Sequence, residues 1–238
     1  MSSLPVYCLT QMLSQLPPDD RWLAPAERAR ASAFRFPKRR NDWRLGRWTA
    51  KEAVRSYLSL TGCEVPQHAS LEIRSAPDGA PEAFVAGDPV GVALALSHCR
   101  DHGFCAVAPA GVALGCDLEA VEPREPPFIA DYFNDSERER IMCAPAAEQP
   151  LLATLLWGAK ESVLKCLREG LRRDTRSVAV HLCAANSPGW NPFTACCEES
   201  GRPFHGWWRC VLPFVQTMAS SIPSHEPVRL RETEMTAH

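Results

Sequence analysis

Several familiar signatures are missing from this chain, and each absence removes a class of function. There is no Walker loop, no dinucleotide Gly-x-Gly-x-x-Gly, no His-Glu-x-x-His and no Gly-x-Ser-x-Gly. No Cys-x-x-Cys pair occurs, so a structural zinc site is not expected. The 11 cysteines are an odd number scattered over 238 residues, which is not a disulfide framework. Most sit in apolar stretches, where reduced cysteine packs as a small hydrophobe, and this points to a reducing, cytoplasmic setting. Charge of one sign is not in excess: 26 basic residues face 28 acidic ones, a net −2. A nucleic-acid or membrane-surface partner is therefore not expected. The longest uncharged run, residues 177–197, contains His, Asn, Pro and Gly and is no membrane span. The first 20 residues lack the basic start and apolar core of a secretory signal.

What is present is ordinary globular material, 45% hydrophobic and 23% charged, enough for one large domain or two small ones. The 21 prolines cut it into short elements. Helices are predicted over 24–36 and 41–60, the second carrying Leu45, Trp48, Ala53, Val54 and Leu58 at helical spacing and stopping at Gly62. Strands are predicted at 69–74, 92–96, 104–108 and 112–119, with turns at Pro77-Asp78-Gly79 and Pro109-Ala110-Gly111. Residues 122–127 read as a Pro-rich loop, 135–142 and 151–168 as helices, 178–183 and 207–213 as strands. No short-period repeat is found, but each half has helices and a few antiparallel strands. The expectation is an α+β fold rather than a doubly wound one. Its lobes are expected over 1–109 and 110–222, with a mobile tail over 223–238.

Two short segments could carry chemistry. In Leu114-Gly115-Cys116-Asp117-Leu118-Glu119, a strand would put Asp117 and Glu119 on one face. Two adjacent carboxylates repel unless a proton or cation intervenes, and hard oxygen pairs suit Mg²⁺. Taken alone, the same residues also describe a solvated strand end. In Trp157-Gly158-Ala159-Lys160-Glu161-Ser162-Val163-Leu164-Lys165, a helix aligns Trp157, Glu161 and Lys165, with Lys160 at the border. Glu161 and Lys165 could be an ordinary surface pair, but a tryptophan on the same stripe argues for partial burial. Ser97-His98 follows an apolar strand and could meet a phosphate or simply close a turn. A basic early segment holds Arg28, Arg30, Arg35, Lys38, Arg39, Arg40, Arg44, Arg47 and Lys51. It reads as a solvated face or as a landing site for a small polyanion.

Together these pieces resemble the 4′-phosphopantetheinyl transferase superfamily in its long, surfactin-synthetase-activating form, over residues 25–215. The acidic motif Gly-x-Asp-x-Glu is Gly115 to Glu119, and Trp-x-x-Lys-Glu-Ser-x-x-Lys is Trp157 to Lys165. Phe-x-x-x-Glu is Phe133 to Glu137, and Ser-His is Ser97-His98. Departures are Gly79-Ala80-Pro81, where the family has a basic residue between glycine and proline, a longer turn after His98, and Arg168-Glu169-Gly170-Leu171 after the helix.

The resemblance implies two similar α+β lobes in pseudo-twofold arrangement, each with a small antiparallel sheet and packed helices, and an active site in the cleft between them. It implies Mg²⁺, coenzyme A as co-substrate, and a serine on an acyl or peptidyl carrier protein as acceptor, in a monomeric cytoplasmic enzyme. Asp117, Glu119 and Glu161 would hold the metal. Lys160 and Lys165 would meet phosphate oxygens. Glu161 would be the base, with Glu137 in reserve. Arg30 and His98 would hold the nucleotide 3′-phosphate, and Ser97, Gly79 and Pro81 would line the nucleotide site. Arg44, Arg47 and Lys51 are weaker candidates. The competing readings are another Mg²⁺-dependent phosphoryl enzyme and a coenzyme A-binding protein without activity.

Overall fold

The computed structural model describes residues 4–183 and 188–231. It divides into two compact α+β units. One is Val6–Gly111 with the C-terminal stretch from Val228; the other is Val112–Pro227 with Leu4 and Pro5.

The first unit opens with β1 (Tyr7–Met12), a strand the sequence pattern did not suggest. Helices α1 (Pro25–Ser32) and α2 (Pro37–Leu60) follow. Both begin on proline, whose fixed φ and missing N–H suit the first helical position. Phe36 before Pro37 is extended (φ −107°, ψ 121°), as a residue preceding proline prefers, so α2 starts four residues earlier than expected. Next come β2 (Leu71–Ser75), β3 (Pro81–Val85) and the short β4 (Asp88–Pro89), which form their own sheet. Strands β5 (Val92–Cys99) and β6 (His102–Pro109) make a tight hairpin, and β1 pairs antiparallel with β6. Ala50, Ala53, Val54 and Tyr57 of α2 pack with Leu71, Ile73, Cys105 and Val107.

The second unit repeats that order: β7 (Leu114–Ala120), α3 (Pro126–Tyr132), α4 (Asp135–Cys143), α5 (Gln149–Cys166), β8 (Val178–Leu182), β9 (Asn191–Cys197), β10 (Arg202–Val211) and β11 (Phe214–Ser220). The sheet order is β7-β11-β10-β9-β8, antiparallel throughout, with the first strand beside the last as in the other unit. Helix α3 replaces the end of the expected loop, because its prolines occupy the first turn, where no N–H is needed. The core joins Phe133, Leu156, Val163 and Leu164 to Phe193 and Phe204.

The echo between halves is sharper than the sequence suggested. Trp48-Thr49-Ala50-Lys51-Glu52-Ala53-Val54 on α2 matches Trp157-Gly158-Ala159-Lys160-Glu161-Ser162-Val163 on α5 at Trp, Ala, Lys, Glu and Val.

The expected tail needs correction. Strand β12 (Val228–Arg229) pairs parallel with β1, Leu230 is buried in the first unit's core, and Ser56 Oγ donates to Arg231 O at 2.8 Å. The backbone bonds Val228 N to Val6 O and Leu230 N to Cys8 O satisfy an otherwise open strand edge. Residues 232–238 lie outside the described residues. Among the described residues no helix is long and apolar enough to cross a membrane.

Candidate active site

The second unit's acidic residues sit where α5 crosses β7 at backbone contact distance. A Cβ on Gly115 would lie 1.8 Å from Ser162 O and 2.7 Å from Cys166 N, so only glycine permits this crossing. Side chains two apart share a strand face, so the same close approach brings Asp117 under the helix. Gly158 continues the contact: a Cβ there would be 3.2 Å from Thr217 Oγ1 and 3.5 Å from Asp117 Oδ2. Asp117 is consequently only 4% exposed, not the solvated strand end that the isolated motif also allowed.

The helix stripe meets the carboxylates one turn at a time. Trp157 Nε1 donates to Glu119 Oε1 at 3.2 Å, and Lys165 Nζ donates to Asp117 Oδ1 at 2.7 Å and to Cys116 O at 3.0 Å. Glu161 lies between them on α5. Phe128 and Tyr132 of α3 pack edge-on against Trp157, each at 5.0 Å between ring centres, and stiffen that end. Arg124 holds Glu119 Oε2 at 2.8 Å from the Pro-rich segment. Sequence reasoning missed this arginine, because a lone basic residue among prolines has no periodicity to reveal its direction. Below the stripe, the Ser162 and Thr217 hydroxyls are 2.7 Å apart.

Burial first, and neighbouring charge second, alter the titrations here. Burial raises Glu161 to about 7; Lys165 pulls it back, while Asp117 and Glu119 add to the rise. Burial and then Asp117 raise Glu119, against Arg124 and Trp157. For Lys165 burial works downward, yet Asp117, Cys116 and Glu161 outweigh it and keep the ammonium charged.

Lys160 is placed elsewhere, contrary to its expected contact with phosphate. Its ammonium is wholly enclosed, bonded to Thr175 O at 2.9 Å, Val178 O at 2.6 Å and Glu137 Oε2 at 2.8 Å. All three of its protons are spent inside the unit. Glu137 is no reserve base either: its oxygens accept from Val180 N and Asn134 N, both at 3.1 Å, as well as from Lys160.

The remaining expected residues lie in the first unit. Ser97 is buried on β5, and His98 beside it is exposed. Gly79 (φ +92°) makes the turn between β2 and β3, its N–H bonding Ala76 O at 2.8 Å, and Pro81 opens β3. Arg30 lines a cavity of about 240 Å³ with Phe34, Arg35, Phe36 and Arg39. Arg44 is used internally, on Asp20 at 2.8 Å and on the carbonyls of Pro17 and Asp19. Lys51 is also enclosed, on Glu27. Arg47 lies over Trp43 and donates to Ser75 Oγ at 3.3 Å.

Among the described residues no three His, Cys, Asp or Glu side chains stand assembled as a metal shell. Lys165 and Arg124 engage Asp117 and Glu119 instead. The donor chemistry nevertheless fits a hard divalent cation: it offers carboxylate oxygens alone, and burial, to which the Asp117 and Glu119 charges add, raises Glu161.

A family model described as the 4′-phosphopantetheinyl transferase superfamily matches residues 113–206, the stretch that carries both acidic segments. The match is to that part of the chain alone, and it lies wholly within the second unit. No curated protein matches the chain. Among solved structures it is similar to a holo-(acyl-carrier-protein) synthase from Bacillus anthracis str. Ames in complex with CoA (3′,5′-ADP). That likeness has 20% identity and a TM-score of 0.37, covering 46% of this chain and 98% of that one. It is too slight to carry an argument.

Proposed function

We propose that this protein transfers the 4′-phosphopantetheine arm of coenzyme A to a serine of an acyl or peptidyl carrier protein, with Mg²⁺. The observation that carries the reading is the convergence of Asp117, Glu119, Glu161 and Lys165 within the domain that matches the superfamily. Asp117, Glu119 and Glu161 would hold Mg²⁺, whose charge would offset that of the pyrophosphate.

The chain's own groups account for the rest. Lys165 stays charged beside Asp117 and offers a point charge to phosphate oxygens. Glu161, raised to about 7, is poised to take the proton of the carrier serine as its oxygen attacks the β-phosphorus. The bond from that phosphorus to the bridging oxygen breaks, and adenosine 3′,5′-bisphosphate leaves with the electron pair. In the first unit, Arg30 and His98 are assigned to the nucleotide 3′-phosphate. Arg35 and Arg39 add charge at the Arg30 cavity. Ser97, Gly79 and Pro81 are assigned to the nucleotide wall. Lys160 is left out of the phosphate set because its protons are spent.

The test is intact-protein mass spectrometry of an apo carrier incubated with this protein, coenzyme A and Mg²⁺, with and without EDTA. A metal-dependent gain of one phosphopantetheine is expected. No gain on acyl, peptidyl and aryl carriers alike, with coenzyme A still bound, overturns the reading in favour of a binding protein.

A further inference from the structure

Glu137 and Lys160 form a buried ion pair that the proposed chemistry does not use. Glu137 joins three elements at once. Asn134 N and Glu137 Oε2 close the N-terminus of α4, Val180 N of β8 reaches Oε1, and Lys160 of α5 reaches Oε2. Lys160 then ties α5 to the backbone at Thr175 and Val178. The three bonds of Lys160 all act at one position of α5, next to Glu161.

That location sets the rotation of α5 about its axis. Residues 160 and 161 are about 100° apart around the helix. One flank is pinned toward β8 through Lys160, and the neighbouring flank presents Glu161 among the β7 carboxylates. At a side-chain radius of about 5–6 Å, a helix rotation of about 15° moves a side chain by about 1.5 Å. A displacement of that size is enough to cost about a hundredfold in a positioned site.

The first unit contains the same device without a carboxylate cluster. Glu27 accepts from Ala24 N and Ile73 N, both at 2.9 Å, and holds Lys51 at 2.5 Å. Lys51 in turn bonds Trp22 O at 3.1 Å and His68 O at 2.9 Å. The residue after Lys51 is Glu52, whose carboxylate meets His68 and Arg55. The molecule thus carries its own control.

We infer that Glu137 and Lys160 are positioning residues for the metal-binding carboxylates, acting by fixing the rotation of α5, and that Glu27 and Lys51 hold α2 with no such consequence. The inference rests on the metal reading of Asp117, Glu119 and Glu161.

Its test pairs E137Q/K160M with E27Q/K51M, so that each unit loses one buried ion pair without leaving a lone charge. Thermal melting follows stability. Mn²⁺ binding, titrated by electron paramagnetic resonance without substrates, follows the site. Both variants are expected to melt lower. Only E137Q/K160M is expected to weaken Mn²⁺, by about tenfold or more, the scale seen for residues that orient metal ligands. Should either double variant fail to fold, E137D and E27D keep the charges and retract one carboxylate by a methylene, with the same contrast expected. Equal Mn²⁺ affinity in wild type and in the folded Glu137 variant overturns the positioning role. So does an equal loss in both units. Wild-type protein that binds no Mn²⁺ overturns the metal reading itself, and the inference with it.

Discussion

The helix motif shared by α2 and α5 has been put to two uses. In the first unit Glu52 lies against His68, which stacks on Trp48 with ring centres 4.8 Å apart. In the second, Glu161 lies among carboxylates and Lys165. The strand beneath each helix also differs. Thr49 of α2 stands over Gly103, and Gly103 pairs with Gln11 of β1. Gly158 of α5 stands over Thr217, and Thr217 pairs with Asp117 of β7. The bulk at this crossing has moved from helix to strand between the units, and Gln11 occupies the post of Asp117. Ser56, five residues after Lys51, holds the C-terminal segment through Arg231, whereas Lys165, five after Lys160, holds Asp117. The buried glutamate–lysine frame is common to both units, and what distinguishes a reactive site is the few side chains that the frame presents.

The largest contrast is expected from the matched pair Asp117 and Gln11. Asp117→Ala should lower transfer by about a thousandfold, the scale of several kcal/mol of lost charge stabilisation, while the protein still melts cooperatively. Gln11→Ala should leave the rate of carrier modification within about twofold. A D117A protein that modifies carrier at the wild-type rate would break the comparison, and the mass-gain assay reads it directly.

Gly115→Ala comes next, because its Cβ would overlap the backbone of α5 rather than a side chain that can yield. A loss of about 3 kcal/mol or more is expected from denaturant unfolding, at the upper end for overpacking. Gly158→Thr should also destabilise, and adding Thr217→Gly should restore most of the loss by rebuilding the arrangement of the first unit. Failure of the second change to rescue the first would show that the crossings are not equivalent.

A pH series separates Glu161 from Glu52. Transfer by the wild type should rise about tenfold per pH unit below about 7 and level off above it, as Glu161 gives up its proton. Higher metal concentration should move that limb downward, because a cation favours the carboxylate. Stability has the opposite sign. A carboxyl at about 7 in the folded protein against about 4.3 unfolded holds more protons when folded between those values. In metal-free buffer its contribution to stability therefore falls as pH rises from about 4.3 to 7. Glu161→Gln should make this fall shallower, as read from melting temperature, leaving the part due to Glu119 and Glu137, which burial also raises; an unchanged slope would assign the whole fall to those other groups.

Smaller effects belong to the first unit. His98→Ala should weaken coenzyme A by about tenfold while leaving dephospho-coenzyme A nearly unchanged, the scale of one charge-assisted contact. Unchanged discrimination between the two ligands would remove His98 from the 3′-phosphate. Glu52→Gln should cost about 1 kcal/mol of stability and no transfer beyond that.

The shared faces of the acidic segments were legible from spacing. Asp117 and Glu119 share a strand face, and Trp157, Glu161 and Lys165 share a helix stripe. Lys160 was not legible, because a border position on a helix does not say which neighbour covers it. The strands were unevenly legible for a similar reason. Phe214–Ser220 is buried at every residue, so the alternation that marks a half-exposed strand is absent. Val228–Arg229 is too short to give any pattern, and it is a strand only because β1 has an open edge.

By itself, then, the sequence determined the local chemistry: which residues are acidic, which share a face, and which glycine leaves room for a helix. Periodicity along the chain is a local property, and it survives without knowledge of neighbours. Only the tertiary structure decided which flank of α5 faces β8, how Glu137 and Lys160 consume each other, and how burial raises Glu161. Those outcomes depend on desolvation and on partners up to 49 residues away, as Lys165 reaches back to Cys116. No reading of neighbouring residues contains them.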